Sequence, residues 1–175
     1  MNNTPGKLLL PLLWRKKILL RTVLFLSMLM LTIWSTAALA FQCNVTATGL
    51  SFGGYDALSP IATSATADIG VTCNLKSTNK NAPLTVTVSV NAGNSGSFSQ
   101  RAMASVSGGY VLNYNLYMDA AGSIIWGDGS GGSNNQVVNV TKESPFNAKI
   151  YGKISPGQNV PAGSYSDAIT VTVLW

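Results

Sequence analysis

Hydrophobic and polar residues alternate singly along much of this chain, most clearly at its C-terminal end. Over residues 165–175, Ile169, Val171, Val173 and Trp175 fall on one face and Ala168, Thr170, Thr172 and Leu174 on the other. A period of two in a β-branched stretch that opens on Tyr165 predicts a strand with one face in a core. Residues 84–90 repeat the pattern, with Leu84, Val86, Val88 and Val90 as the apolar face. Further strands are predicted over 43–48, 50–55, 68–75, 110–117, 124–126, 136–140 and 146–154. Clusters of Gly, Pro, Asn, Asp and Ser separate them at 56–60, 91–96, 127–133 and 155–163. The small polar residues up to Ala67 read as a connection, and so does the polar stretch that holds Arg101 and Met103. Helical spacing does not extend over any useful length of 41–175. Many short strands with regular turn signals predict an all-β sandwich of immunoglobulin-like type. A strong apolar strand with no hairpin partner after it either sits inside a sheet or leaves an edge open, and an open edge is a docking site in an assembly subunit.

Residues 1–40 differ in kind. Lys7, Arg15, Lys16, Lys17 and Arg21 supply their charge, 22–34 is almost wholly apolar, and Ala38-Leu39-Ala40 closes the run. The apolar run is shorter than the roughly 18–20 residues of a membrane-spanning helix. The pattern is that of a secretory signal cut between Ala40 and Phe41, with an uncleaved anchor as the alternative. Residues 41–175 then form one domain, long enough for a single core.

Removing the leader changes the charge balance. Five of the 11 basic residues lie in 1–40, which leaves six against the 6 acidic residues. The exported part is therefore neutral, and its composition does not point to nucleic acid. Low net charge does little to oppose association with other chains.

The exported part holds two cysteines, Cys43 and Cys73, and an even pair in an exported chain predicts one disulfide. Closing a segment of roughly 30 residues, it contributes on the order of 3–4 kcal/mol in the chain-entropy description. The chain has no histidine, so a Ser-His or Cys-His nucleophile is excluded. Its scattered carboxylates fall in no recognisable glycosidase setting. The stretch Asp128-Gly-Ser-Gly-Gly lacks the alternating oxygen ligands of a calcium loop and reads as a turn. Tyr110, Tyr114, Tyr117 and Trp126, at strand spacing, read as core or cross-strand aromatics rather than sugar platforms. The expectation is a protein without catalytic residues, metal site or cofactor.

Several blocks in order carry a family resemblance: 43–59 (CNVTATGLSFGGYDALS), Val71-Thr72-Cys73, 114–121 (YNLYMDAA), 125–129 (IWGDG) and 161–173 (PAGSYSDAITVTV). Together they resemble the spore coat protein U domain, a family similar to the subunits of archaic chaperone-usher pili. The resemblance implies an immunoglobulin-like sandwich lacking its last strand, which is supplied first by a periplasmic chaperone and then by a neighbouring subunit after passage through an outer-membrane usher. On that view Tyr165, Ile169, Val171, Val173 and Trp175 form the wall of an acceptor groove, and 165–175 pairs with the incoming strand. A cut after Ala40 leaves only Phe41 and Gln42 ahead of Cys43, a subunit that accepts a strand without donating one and sits at a fibre end. The alternatives are a self-folding secreted coat protein and a tip module that binds a surface or glycan receptor through loops such as 127–133.

Overall fold

The computed structural model describes residues 42–74, 83–141 and 144–175, all within one compact unit, Leu39–Trp175. The leader read over 1–40, with Ala38, Ala40 and Phe41 at its cut, lies outside the described residues.

Among the described residues nine strands form, in chain order β1 (Gln42–Ala47), β2 (Thr63–Asn74), β3 (Leu84–Val90), β4 (Arg101–Ser105), β5 (Val111–Tyr117), β6 (Gln136–Val140), β7 (Phe146–Ile154), β8 (Tyr165–Ser166) and β9 (Val171–Leu174). They make a six-stranded sheet, β1-β2-β7-β5-β4-β8, and a three-stranded sheet, β6-β3-β9, in which every pairing is antiparallel. Inward residues of both sheets, among them Ile69, Val71, Val86, Val88, Leu112, Leu116, Ile150 and Ile154, meet in one core. This is the immunoglobulin-like sandwich that the alternation predicts. Trp126 lies between the sheets, 1% exposed, with its indole N–H directed at the Val88 carbonyl at 3.4 Å. The Cys43–Cys73 disulfide forms across directly paired positions of β1 and β2.

Five local readings differ from expectation. β2 begins at Thr63, within the stretch read as a connection, because β7 offers a ladder running from Thr63↔Ile154 to Val71↔Phe146. Paired main chain outweighs the weak strand preference of Ser and Ala. β4 forms where a polar connection was read, because its first residue, Arg101, is buried with its hydrogen bonds made inside the protein. Residues 50–55 form no strand and make no main-chain pairing among the described residues, and 124–126 hold only isolated bridges. Finally, the alternation over 165–175 is not one strand. β8 pairs with β4 of the larger sheet and β9 with β3 of the smaller one, so residues 167–170 cross between the sheets.

Candidate functional site: a cleft between two unpaired edges

Where the chain crosses between the sheets, the sandwich does not close. A cleft of about 390 Å³ runs between the end of β1 with the segment after it (Ala47 to Phe52) and the segment from Tyr165 to Val171. Met103, Tyr114, Leu116 and Ile150 of the larger sheet make its floor. It adjoins a second cleft of about 590 Å³, lined by Tyr55, Leu112, Val160 and Pro161 among others, and the two share Leu50, Phe52, Met103 and Tyr165. They form one groove along the side of the sandwich.

Each wall has main chain to spare. Among the described residues, Gly49 to Tyr55 make no main-chain to main-chain hydrogen bond, and β9 pairs with β3 on one side only. Burial records the same gap. On β3, with a neighbour on each side, Val86, Val88 and Val90 are at most 1% exposed. On the crossing and β9, Ile169, Val171 and Val173 keep the same alternation but are only half-buried. Nothing in the described chain covers their outer side, although unpaired main chain and half-covered apolar side chains both favour a partner.

Leu50 and Phe52 reach over β7 because residue 152 is glycine. A Cβ there would stand 2.7 Å from the Phe52 ring tip and 2.9 Å from Leu50 Cδ1. The Phe52 ring meets Tyr114 edge-on at 5.8 Å. At the far end, Tyr55 and Gln158 clamp the groove: the Gln158 N–H donates to the Tyr55 hydroxyl at 2.7 Å, and the Gln158 side-chain amide both donates to and accepts from the Asn113 main chain.

The opposite wall is fastened by polar contacts. Asp167 accepts from the Tyr114 hydroxyl at 2.7 Å and from the Asn94 N–H at 2.8 Å. Burial first, and then this bond, push the Tyr114 pKa well above the usual tyrosine range, so the phenol remains a donor. Thr170 exchanges two 3.0 Å bonds with Asn91, whose carbonyl is held in turn by Arg101. Arg101 is 0% exposed and also donates to Asn115 Oδ1 and to the Trp126 carbonyl. Burial lowers its pKa, against the pull of Tyr114, Asp167 and Tyr117.

Of the residues expected to line an acceptor wall, Tyr165, Ile169 and Val171 line the cleft, and Val173 and Trp175 are not in its lining. Val173 packs on the core from further along β9. Trp175 lies beyond Leu174, the last paired residue, and is 56% exposed. Leu50, Phe52 and Asp167 were missed as site residues, and the glycines at 53 and 54 were the only sign that 50–55 is not an ordinary strand. The 127–133 loop is a tight polar turn in which Asp128 accepts from Ser130 and Ser133 is buried.

Comparison with known proteins bears on this geometry. A profile of the Spore Coat Protein U domain matches residues 29–172, which includes residues 29–40 of the expected leader. "Protein U" of Myxococcus xanthus is 32% identical over 133 residues, covering 71% of this chain and 70% of that protein. Among solved structures, the chain is similar to one in the CsuC-CsuE chaperone-tip adhesion subunit pre-assembly complex from archaic chaperone-usher Csu pili of Acinetobacter baumannii. The match has a TM-score of 0.52 at 25% identity and covers 78% of this chain, which spans 40% of that one.

Proposed function

Because this chain belongs to the Spore Coat Protein U domain family, we propose that it is a structural subunit of a chaperone-usher type surface pilus, exported through the inner membrane and non-catalytic. Its groove accepts a β-strand from a periplasmic chaperone and later from a neighbouring subunit, by way of an outer-membrane usher. The single observation that carries this reading is an apolar-floored cleft with the unpaired segment Gly49 to Tyr55 on one side and, on the other, the start of β9, which pairs with β3 on one side only. An inserted strand satisfies those edges with ladder hydrogen bonds and lays every second side chain on Met103, Leu116 and Ile150, each buried apolar side chain contributing roughly 1.5–3 kcal/mol. If the leader is cut after Ala40, the subunit accepts a strand without donating one and stands at a fibre end.

Periplasmic co-expression with a chaperone of the archaic type tests this. The expected result is a soluble one-to-one complex whose subunit begins at Phe41 by mass, lost when Val171→Lys puts a charge in the groove. A stable monomer indifferent to the chaperone would refute the reading and favour a self-folding coat protein.

A second reading, contact with a surface or receptor, is favoured by one end of the sandwich. Leu58 (92% exposed), Ile61 (74%), Val106 (74%) and Tyr110 (55%) stand on the connections before β2 and between β4 and β5. The ladders bring those connections to the same pole, and clustered exposed apolar side chains mark contact sites. Leu58→Ser with Val106→Ser is expected to reduce adhesion to a hydrophobic surface and to leave chaperone binding intact.

A further inference from the structure

Among the described residues, Asp167 is the one charged side chain lining the 390 Å³ cleft. A carboxylate offers about two acceptor positions on each oxygen. Both on Oδ1 are taken, by the N–H groups of Asn94 and Ala168, each at 2.8 Å. Oδ2 has one partner, the Tyr114 hydroxyl at 2.7 Å, so one position remains. Gly93 backs the same carboxylate so closely that a Cβ there would collide with it. With Gly93 and Tyr114 occupying those directions, the side left is the cleft.

While the cleft is open, water serves the remaining lone pair. A strand laid over it removes that water, and an acceptor buried without a partner is penalised. We propose that the strand filling this cleft carries one hydrogen-bond-donating side chain, Ser, Thr, Asn or Lys, at the inward position over Asp167, and that this residue sets the register of insertion. The inference rests on the strand-acceptor reading above. A slip of two residues places an apolar side chain over the carboxylate and the donor over the apolar floor, so both contacts are lost together. A slip of one turns the apolar set outward.

The probes are synthetic 13-residue peptides with Val at every inward position and Thr at every outward one, together with a set in which a single inward Val is replaced by Thr at each position in turn. Val and Thr share a shape, so each comparison isolates one hydroxyl. Dissociation constants against the full chain, read by fluorescence anisotropy, are expected to show one position where Thr binds roughly tenfold tighter than Thr elsewhere, the scale of one unmet buried acceptor. Asp167→Leu combined with Tyr114→Phe, which leaves the peptide hydroxyl neither carboxylate nor phenol to bond, is expected to abolish the preference. Tyr114→Phe alone removes the other donor to Oδ2 and leaves it the stronger acceptor, so the preference is expected to grow, an effect that a purely structural role for Asp167 does not produce. Binding of the all-Val peptide with Thr disfavoured at every position overturns the inference and leaves the strand-acceptor reading standing. A preference that survives the Asp167→Leu, Tyr114→Phe double substitution overturns it as well. If no peptide binds, the strand-acceptor reading fails and takes the inference with it.

Discussion

Replacing Arg101 with Met preserves much of the side chain's bulk and removes its charged fork. The fork donates to the Asn91 carbonyl from Nε (3.1 Å) and Nη2 (2.8 Å), to the Trp126 carbonyl from Nη2 (2.7 Å) and to Asn115 Oδ1 from Nη1 (2.6 Å). Asn115 Oδ1 keeps a second donor, the Leu116 N–H at 2.9 Å. The carbonyls of Asn91 and Trp126 keep none among the described residues. At about 1–3 kcal/mol for each orphaned group, the loss comes to about 2–6 kcal/mol. Relief of the guanidinium's own desolvation offsets a part of this. With a urea slope of about 2 kcal/mol per molar, the unfolding midpoint should fall by about 1–2 M. The damage also reaches the groove, because Asn91 holds Thr170 of the crossing. Strand binding should therefore weaken in the same variant. Arg101→Lys keeps the charge but cannot span three acceptors, and should fall between Met and the native residue. Equilibrium urea unfolding with the disulfide intact is the assay. A midpoint for Arg101→Met within about 0.2 M of the native protein would refute the reasoning, since that corresponds to under about 0.5 kcal/mol.

Other perturbations separate fold from site. Gly152→Ala pushes on the tips of Phe52 and Leu50. Both can swing into the open groove, so stability should fall by only about 1 kcal/mol while strand binding drops markedly; a calorimetric melt beside a binding titration checks this. Replacing Cys43 and Cys73 together with Ser should cost about 3 kcal/mol and expose β1 first, because β1 pairs with β2 alone; amide exchange would show protection lost over Gln42–Ala47 before other strands. The Asp119 carboxylate accepts from the Ser123 hydroxyl and from the N–H groups of Ile124 and Ser123, which hold its pKa down at about 2. A depressed folded value means that the turn's support is complete above the ordinary carboxylate range near 4 and is lost as pH falls through about 2. Carbon-detected NMR titration should find that midpoint, and Asp119→Asn should remove the acid-dependent shift of the Ser123 and Ile124 amides.

Particular residues show why some of this was legible in the sequence. The alternations at Leu84–Val90 and Phe146–Ile154 mark strands because a half-buried pleat imposes a period of two on burial. The even cysteine pair signals its own bridge. By contrast, β4 was hidden because Arg101 breaks the polar-outside rule, which only its acceptors at Asn91, Asn115 and Trp126 make tolerable. The first half of β2 was hidden because Ser64, Ala65 and Ala67 have little strand preference of their own, and β7 supplies the ladder. Half of the site was legible as well: Tyr165, Ile169 and Val171 stood out as an apolar wall. Leu50 and Phe52 were visible only as members of a presumed strand, since nothing local says whether an extended segment will find a neighbour.

Local pattern along the chain thus determined the all-β class, the inward set of residues, the disulfide and the C-terminal segment as one wall. It determined these because alternation and cysteine pairing are written at short range. The tertiary structure alone decided that 165–175 divides between two sheets, that Val173 and Trp175 lie outside the cleft, and that the unpaired segment Gly49 to Tyr55 lines one cleft with the start of β9, roughly 120 residues further along the chain. An empty groove is a relation between distant segments, set by which ladders form around a shared core, and no single stretch of residues carries it.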